Sequence, residues 1–387
     1  MKVAYIGPAL HNTGYGHAAS NYCLAMLRAG IDLVIIPPVD ITEVELEQAD
    51  ERYAPLLECF GDVGYPDVVI SHALPFACSS FLEDVPIPRH ALRVANTVYE
   101  TETLSQSSIA DLEEHFDLVM VPSNYNLVSF RRQMRAPEKC VLIPHTFDPA
   151  HWKAARAPRK TSEYVFYTIG TWCERKNPMG LLKSYLTEFG PEDDVLLRIK
   201  TPSYGEKQIA ELVGMLKIPH LPPVEILCEP LDEEALMDFH TSGDCFVTTT
   251  HSEGFGLGAF EARLLGNPVI APGYSGLLDF LYPSDTVKLV PHFLTPAVTP
   301  ETEHNKVMRV HGLEIKPVLR ADHMGIGGDQ NWCEPDLHTT KKYMRQAYED
   351  NWSPDDIDRD RLERTFSYDA VGQLILKTFA DALAKRA

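Results

Sequence analysis

The chain has 387 residues, a length that suits two domains of about 150 to 200 residues better than one core. Hydrophobic residues make up 44%, aromatics 9% and charged residues 23%, the balance of an ordinary globular protein, which excludes fibrous and disordered classes. A formal net charge of -20 argues against sequence-independent binding to phosphate backbones, which needs excess Lys and Arg, while leaving room for a local basic pocket.

The N-terminus, MKVAYIGPAL, has no long apolar region with a cleavage site and reads as a short buried strand running into Gly7, so no signal peptide is expected. Apolar runs follow at 31–36, 68–70, 94–95, 118–121 and 141–143 after the first at 3–6, with helical stretches between them. That rhythm predicts a parallel sheet of strand-helix units. Residues 18–27 form helix and end at Gly30, a suitable residue just past a helix C-terminus. A polar, basic stretch at 153–160 reads as a linker, which places the domain boundary near residue 150. A second series of strands is expected at 164–169, 196–199, 224–227, 245–248 and 269–271. Residues 292–329 show no clear period and are expected to be a long loop or small insertion. From Thr339 the pattern is helical to the end, with Val371, Leu374, Ile375, Phe379 and Leu383 on one face of a last helix. No stretch of about 18 apolar residues predicts a membrane span. The eight cysteines, at 23, 59, 78, 140, 173, 228, 245 and 333, form no C-x-x-C pair, so reduced thiols in a cytoplasmic protein are expected rather than a zinc ribbon or disulfide framework.

The segment HSEGFGLGAFEARLLGNPVIAPGYSG, 251–276, is the most informative. It follows an apolar strand, turns through glycines and enters a helix, the place where ligands bind α/β sheets. Gly254, Gly256 and Gly258 let backbone amides approach a ligand, and the helix N-terminus favours a diphosphate. Glu253 and Glu261 are candidate acceptors for sugar and ribose hydroxyls, Glu261 having the alternative of an acid that merely favours a helix start. Arg175 and Lys176 fall in a loop between Gly170 and a helix, where two cations suit a departing diphosphate or, equally, a solvated basic pair. The loop from Gly7 to Gly16 offers Gly14 and Gly16, with Asn12 and His17 as weaker candidates. His72 ends a strand in Ser-His-Ala-Leu-Pro, and Glu100 lies in Tyr-Glu-Thr-Glu just past another; a structural histidine and a helix-start acid are the plain alternatives. Arg131, Arg132 and Arg135 read chiefly as a solvated helix face, with an anionic acceptor or a membrane surface as the other reading.

The block Ser252-Glu253-Gly254-Phe255-Gly256, with Glu261, Ala262, Gly266, Pro268, Val269, Ile270 and Gly276, resembles the E-x7-E signature of family 4 glycosyltransferases. The resemblance is strong over 165–280, moderate before 150 and weak over 292–330. It implies an α/β protein of the GT-B fold: two Rossmann-like domains facing an interdomain cleft, with the C-terminal helix crossing back to the N-terminal domain. The expected division is 1–150 for the acceptor domain, 151–365 for the nucleotide-sugar donor domain and 366–387 for the returning helix. It further implies a retaining transferase of the hexosyltransferase kind that needs no metal or other cofactor. Such an enzyme moves sugar from a nucleoside-diphosphate sugar to a hydroxyl on a glycan, small molecule or lipid-linked sugar. Glu253 would contact the transferred sugar and Glu261 the ribose, with Phe255 and Leu257 in the donor loop. Lys176 falls at the family's Lys, whereas Thr171 stands at the Arg position, for which Arg175 is a partial substitute. Gly14 and Gly16 match the glycine loop near the donor phosphates, and Glu100 an acceptor-side polar residue. Alternatives are a phage-type enzyme acting on modified DNA bases, a non-transferring sugar-nucleotide-binding subunit, and a GT-B epimerase or phosphorolytic enzyme; nucleic acid is not a favoured partner.

Overall fold

The computed structural model describes residues 1–11, 13–38, 51–83, 85–152, 162–201, 214, 221–297, 308–310, 313–315 and 330–386. Asn12, the expected linker at 153–160 and most of 298–329 lie outside the described residues. The chain divides into two compact units, Met1–Lys153 with Asp360–Ala387, and Ala154–Arg359.

The first unit is built on six parallel strands: β1 (Lys2–Ile6), β2 (Asp32–Ile36), β3 (Val68–His72), β4 (Leu92–Asn96), β5 (Leu118–Val121) and β6 (Cys140–Leu142). Their order is β2-β1-β3-β4-β5-β6, so the chain reverses direction across the sheet between β1 and β3. β3 is buried at all five positions, as expected of a parallel strand covered on both faces, which is why the sequence shows continuous apolar runs rather than alternation. Helix α1 (Gly14–Arg28) begins ahead of the expected residue 18 because the Thr13 hydroxyl caps it, accepting the Gly16 N–H at 3.0 Å. It stops where Gly30 takes φ +78. Helices α2 (Gln106–His115) and α3 (Asn124–Gln133) start on Ser105 and Ser123 caps. Arg131, in the basic run, donates from two guanidinium nitrogens to the Cys140 carbonyl at 3.1 and 2.9 Å, a structural use.

The second unit carries β7 (Tyr164–Ile169), β8 (Val195–Lys200), β9 (Val224–Leu227), β10 (Cys245–Val247), β11 (Val269–Pro272) and β12 (Val287–Val290). All are parallel, in the order β12-β11-β10-β7-β8-β9, so the connection reverses between β7 and β10, as in a Rossmann sheet. Among the described residues it also carries helices α4 (Pro178–Glu188), α5 (Glu233–Ser242), α6 (Leu257–Leu264) and α7 (Leu337–Glu349). The core gathers Tyr164, Phe166, Tyr185, Leu197, Val247 and Ile270 with Met344 and Trp352 from the later chain. β12 was not among the expected strands. Of the two readings of 292–329, a long loop or a small insertion, the described residues favour the second: β13 (His292–Pro296) pairs antiparallel with β16 (Asn331–Pro335), and β14 (Met308–Val310) with β15 (Leu313–Ile315).

Helices α8 (Arg359–Phe366) and α9 (Tyr368–Ala384) return the chain to the first unit. The Phe366 carbonyl accepts the Phe147 N–H and the Thr146 hydroxyl, and α9 buries Val371, Ile375 and Phe379 in the core shared by β1, β3 and α1. A Cβ at Gly372 would fall on the Ala25 carbonyl, so glycine is what lets α9 approach α1. Of the expected apolar face, Leu374 is instead 39% exposed.

Candidate functional site

In the second unit, the loops that follow β7 and β10 meet where the sheet order reverses, the position at which open α/β sheets bind ligands. After β7 the chain runs Gly170-Thr171-Trp172-Cys173 into a single 3-10 turn, Glu174–Lys176, that carries both cations. Asn177 follows in the left-handed region, φ 46, where asparagine is tolerated. Its side chain caps α4 by accepting the Gly180 N–H at 3.0 Å, and Pro178 fills the first helical position. The loop after β10 is stitched to this turn by three bonds. The Thr249 hydroxyl donates to the Asn177 carbonyl at 2.7 Å, the Thr250 hydroxyl to the Arg175 carbonyl at 3.1 Å, and the His251 N–H to the same Arg175 carbonyl at 2.7 Å.

That stitching brings Glu253, Lys176 and Arg175 together. Lys176 Nζ lies 2.6 and 2.8 Å from the two Glu253 carboxylate oxygens, and an Arg175 guanidinium nitrogen lies 3.2 Å from Oε2 and 2.8 Å from the Ser252 carbonyl. Glu253 is buried. Burial works to raise its carboxyl, but the charges of Lys176 and then Arg175 outweigh it and hold the group below its ordinary range, ionised. Its backbone is clamped as well: the Glu253 N–H donates to Ser275 Oγ and its carbonyl accepts the Gly276 N–H, both at 3.0 Å. Ser275 holds φ 63, a costly conformation for a residue with a Cβ. A Cβ at Gly276 would fall on the Gly254 carbonyl.

Beside this cluster is a pocket walled by Gly170, Thr171, Trp172, Lys176, Glu253 and Gly256, with Gly258 and Ala259 of the first turn of α6. The helix N-terminus and the Lys176 ammonium both favour an anion there. Gly256 takes φ +100, and a Cβ at Gly258 would press on Ile169. Of the remaining residues expected in the donor loop, Phe255 is buried in an aromatic cluster with Phe260 and Phe280, ring centroids 5.1 Å apart, and so supports the wall from behind. Gly254 sits against Gly276, and Leu257 opens α6; neither they nor Glu261 line the pocket. Glu261 lies farther along α6, its Oε2 at 3.3 Å from His240 Nε2. Thr171 presents a neutral, exposed side chain.

Sequence reasoning missed His251 and its platform. The ring stacks on Trp332 of β16, centroids 4.8 Å apart and 13° from parallel, and Nδ1 meets the Cys333 carbonyl at 2.7 Å. Burial lowers the pKa of His251, and Arg175 lowers it further against the opposing effect of that carbonyl. Trp332 and Cys333 of β16 thus brace the loop that holds Glu253.

In the first unit the candidates sit near the other reversal point. His72, at the end of β3, is buried with Nδ1 at 2.6 Å from the Tyr5 hydroxyl, and its ring neighbours Tyr15 and Tyr22. Desolvation, then the nearby His145, lower its pKa to about 3, so the ring is neutral at pH 7 and a weak proton acceptor. Gly14 and Gly16 open α1; a Cβ at Gly16 would overlap the His11 carbonyl, a requirement for glycine independent of any ligand. Glu100 is buried past β4, in a segment that α3 fixes through Asn126, whose side-chain amide donates to the Tyr99 carbonyl at 2.5 Å. Among the described residues no cluster of His, Cys, Asp and Glu could hold a metal ion, and no helix is long and apolar enough to cross a membrane.

No family model matches the chain, and no match was found among curated proteins. Solved structures do match over its length. A sucrose-phosphate synthase from Thermosynechococcus elongatus superposes with a TM-score of 0.69 at 14% identity, covering 100% of both chains. HepE from Anabaena in complex with UDP-glucose gives 0.63 at 13% identity, covering 98% of this chain and 100% of that one. The lipopolysaccharide outer core galactosyltransferase WaaB, in its apo form, gives 0.61 at 13% identity with 100% of both covered. The chain therefore has the two-sheet α/β fold of the GT-B glycosyltransferases.

Proposed function

We propose that the protein is a retaining glycosyltransferase of the family 4 type that takes a nucleoside-diphosphate sugar as donor and needs no metal. The observation that carries this reading is the convergence of Glu253, Lys176 and Arg175 at the reversal point of the second sheet, beside a pocket under the N-terminus of α6. One carboxylate holding two cations in a buried setting is a charge arrangement a diphosphate sugar can enter. Its phosphates take over the cations, and the released carboxylate accepts hydrogen bonds from sugar hydroxyls. The sugar C1–O bond then breaks with its electron pair leaving on the diphosphate. The acceptor oxygen bonds to C1 on the same face, and its proton passes to a phosphate oxygen. Lys176, Arg175 and the helix dipole stabilise the negative charge as it develops, the part a divalent cation plays elsewhere. That two of the solved structures named above are a sucrose-phosphate synthase and a galactosyltransferase, and that the third, HepE, is in complex with UDP-glucose, supports the donor class.

The acceptor is a hydroxyl-bearing glycan, small molecule or lipid-linked sugar, and we assign His72 and Glu100 of the first unit to its side of the reaction. His72 would serve there as a neutral hydrogen-bonding group. All eight cysteines are free thiols, in keeping with a cytoplasmic enzyme. A thermal-shift screen of UDP-, GDP-, ADP- and dTDP-sugars tests the reading, since a ligand that binds only the folded state raises the melting temperature. The expected result is a shift with one nucleotide that is the same with and without magnesium. No shift with any donor would refute a donor site, and a shift that requires magnesium would refute metal independence.

A further inference from the structure

Glu261 does not stand alone on α6. Behind it runs a chain of three buried side chains, each from a different part of the second unit: His240 on α5, Tyr167 on β7 and Asn267 between α6 and β11. His240 and Tyr167 are both fully buried, and Asn267 is 1% exposed. The Asn267 side-chain amide nitrogen lies 2.7 Å from the His240 carbonyl and 2.5 Å from the Tyr167 hydroxyl. That hydroxyl lies 3.2 Å from His240 Nδ1, and His240 Nε2 lies 3.3 Å from Glu261 Oε2.

The direction of every bond follows from the two ends of the chain. The His240 carbonyl can only accept, so the atom facing it is the Asn267 amide N–H, and the same nitrogen donates to the Tyr167 oxygen. At the other end the Glu261 carboxylate can only accept, which puts the ring hydrogen on Nε2, donated to that carboxylate, and leaves Nδ1 to accept from the Tyr167 hydroxyl. The tautomer is fixed by residues that the pocket does not touch. Tyr167 is itself held in place, because a Cβ at Gly243 would overlap its ring and the glycine there admits it. At the far end, Glu261 is only partly buried, and its Oε1 makes no hydrogen bond to any described residue.

We propose that His240 is a positioning residue: through this chain it fixes the Glu261 carboxylate by one oxygen and leaves the other to accept from the vicinal hydroxyls of a donor ribose. The proposal rests on the reading of Glu261 as the ribose acceptor. A carboxylate free to rotate would keep its charge but lose the geometry that selects a diol, so His240 governs discrimination between ribose and deoxyribose more than overall affinity.

The experiment measures, by calorimetry, binding of whichever of UDP, GDP and ADP binds best, and of its 2′,3′-dideoxy counterpart, to the full chain. The wild type should prefer the ribose form by about 10-fold or more, the worth of a hydrogen bond or two to a charged group. Glu261→Gln should remove most of that preference. His240→Leu should reduce it by a similar factor, the double variant should lose no more than either alone, and His240→Gln, which keeps an N–H toward Glu261, should restore part of it. Tyr167→Phe, which keeps the ring and releases the tautomer, should give an intermediate loss and serves if His240→Leu does not fold. With donor sugar, the His240 and Tyr167 variants should raise KM with little change in kcat. If Glu261→Gln abolishes the preference while His240→Leu and Tyr167→Phe only lower the melting temperature, the chain is packing and the positioning role is wrong. If Glu261→Gln itself keeps the wild-type preference, the ribose reading of Glu261 falls first and this proposal with it.

Discussion

The two units reverse their strand order at comparable places and carry glycine loops and polar residues there, yet they use them differently. In the second unit, charges of opposite sign converge in a buried setting on Glu253, Lys176 and Arg175. In the first, the matching residues are absorbed by the fold: Gly16 exists because His11 is too near for a side chain, and His72 is neutral among tyrosines. Desolvated, mutually compensated charge is expensive to maintain unless it is used, whereas a buried neutral ring satisfied by a hydroxyl is ordinary packing. The contrast predicts that substitutions at Glu253 and Lys176 act on turnover, whereas a side chain at Gly16 acts on stability.

The strongest way to break that contrast is at its charged end. Glu253→Ala and Lys176→Ala should each cut turnover by about 10² or more, the usual effect of removing a group that stabilises developing charge. Glu253→Gln should lower turnover likewise while tightening nucleoside-diphosphate binding, because Lys176 and Arg175 no longer face a competing carboxylate. Turnover near wild type in both alanine variants would remove Glu253 and Lys176 from the reaction. The mirror test is Gly16→Ala. A Cβ there meets backbone that cannot rotate away, so a loss of about 1–3 kcal/mol in unfolding free energy is expected from overpacking, with KM for the donor little changed in the fraction that folds. Full stability with a raised KM would instead make Gly16 a phosphate contact and erase the difference between the units.

How much of this the sequence disclosed follows the same line. The sheets were legible because parallel strands buried on both faces leave continuous apolar runs, and 164–169 and 224–227 were bounded as observed. β12, Val-Lys-Leu-Val, is as short as β9 and interrupted by one lysine, and its strand character shows in its pairing with β11. The pairing of β13 with β16 spans a long stretch of chain, and no local period reports a partner so distant in sequence. Glu253, Arg175 and Lys176 were legible as a motif with spacing, but the hydrogen bonds that join their loops come from Thr249 and Thr250, residues with no distinguishing pattern. His251 on Trp332 and the His240 chain behind Glu261 depend wholly on tertiary contacts.

The smallest predicted effect sharpens the neutral end of the comparison. His72 and His145 both have pKa values lowered to about 3 by burial, against about 6.5 for a free imidazole in the unfolded chain. Between those values the unfolded chain binds protons that the native chain refuses, so stability falls as pH drops from about 6.5 toward 3, by at most about 1.4 kcal/mol per pH unit for each such histidine. Among the described residues, the rings of Tyr5, Tyr15 and Tyr22 lie against His72 with His145 nearby, and none of these carries a carboxylate that would stabilise the imidazolium. Urea unfolding of wild type and His72→Gln at pH 4.5, 5.5 and 6.5 should give a shallower acid loss in the variant, by up to that one-proton slope. An identical slope would mean that native His72 takes up its proton as readily as the unfolded chain does. It would then be open to water and titrating near neutrality, and a proton-accepting role toward an acceptor hydroxyl would fit it better than the neutral one assigned here.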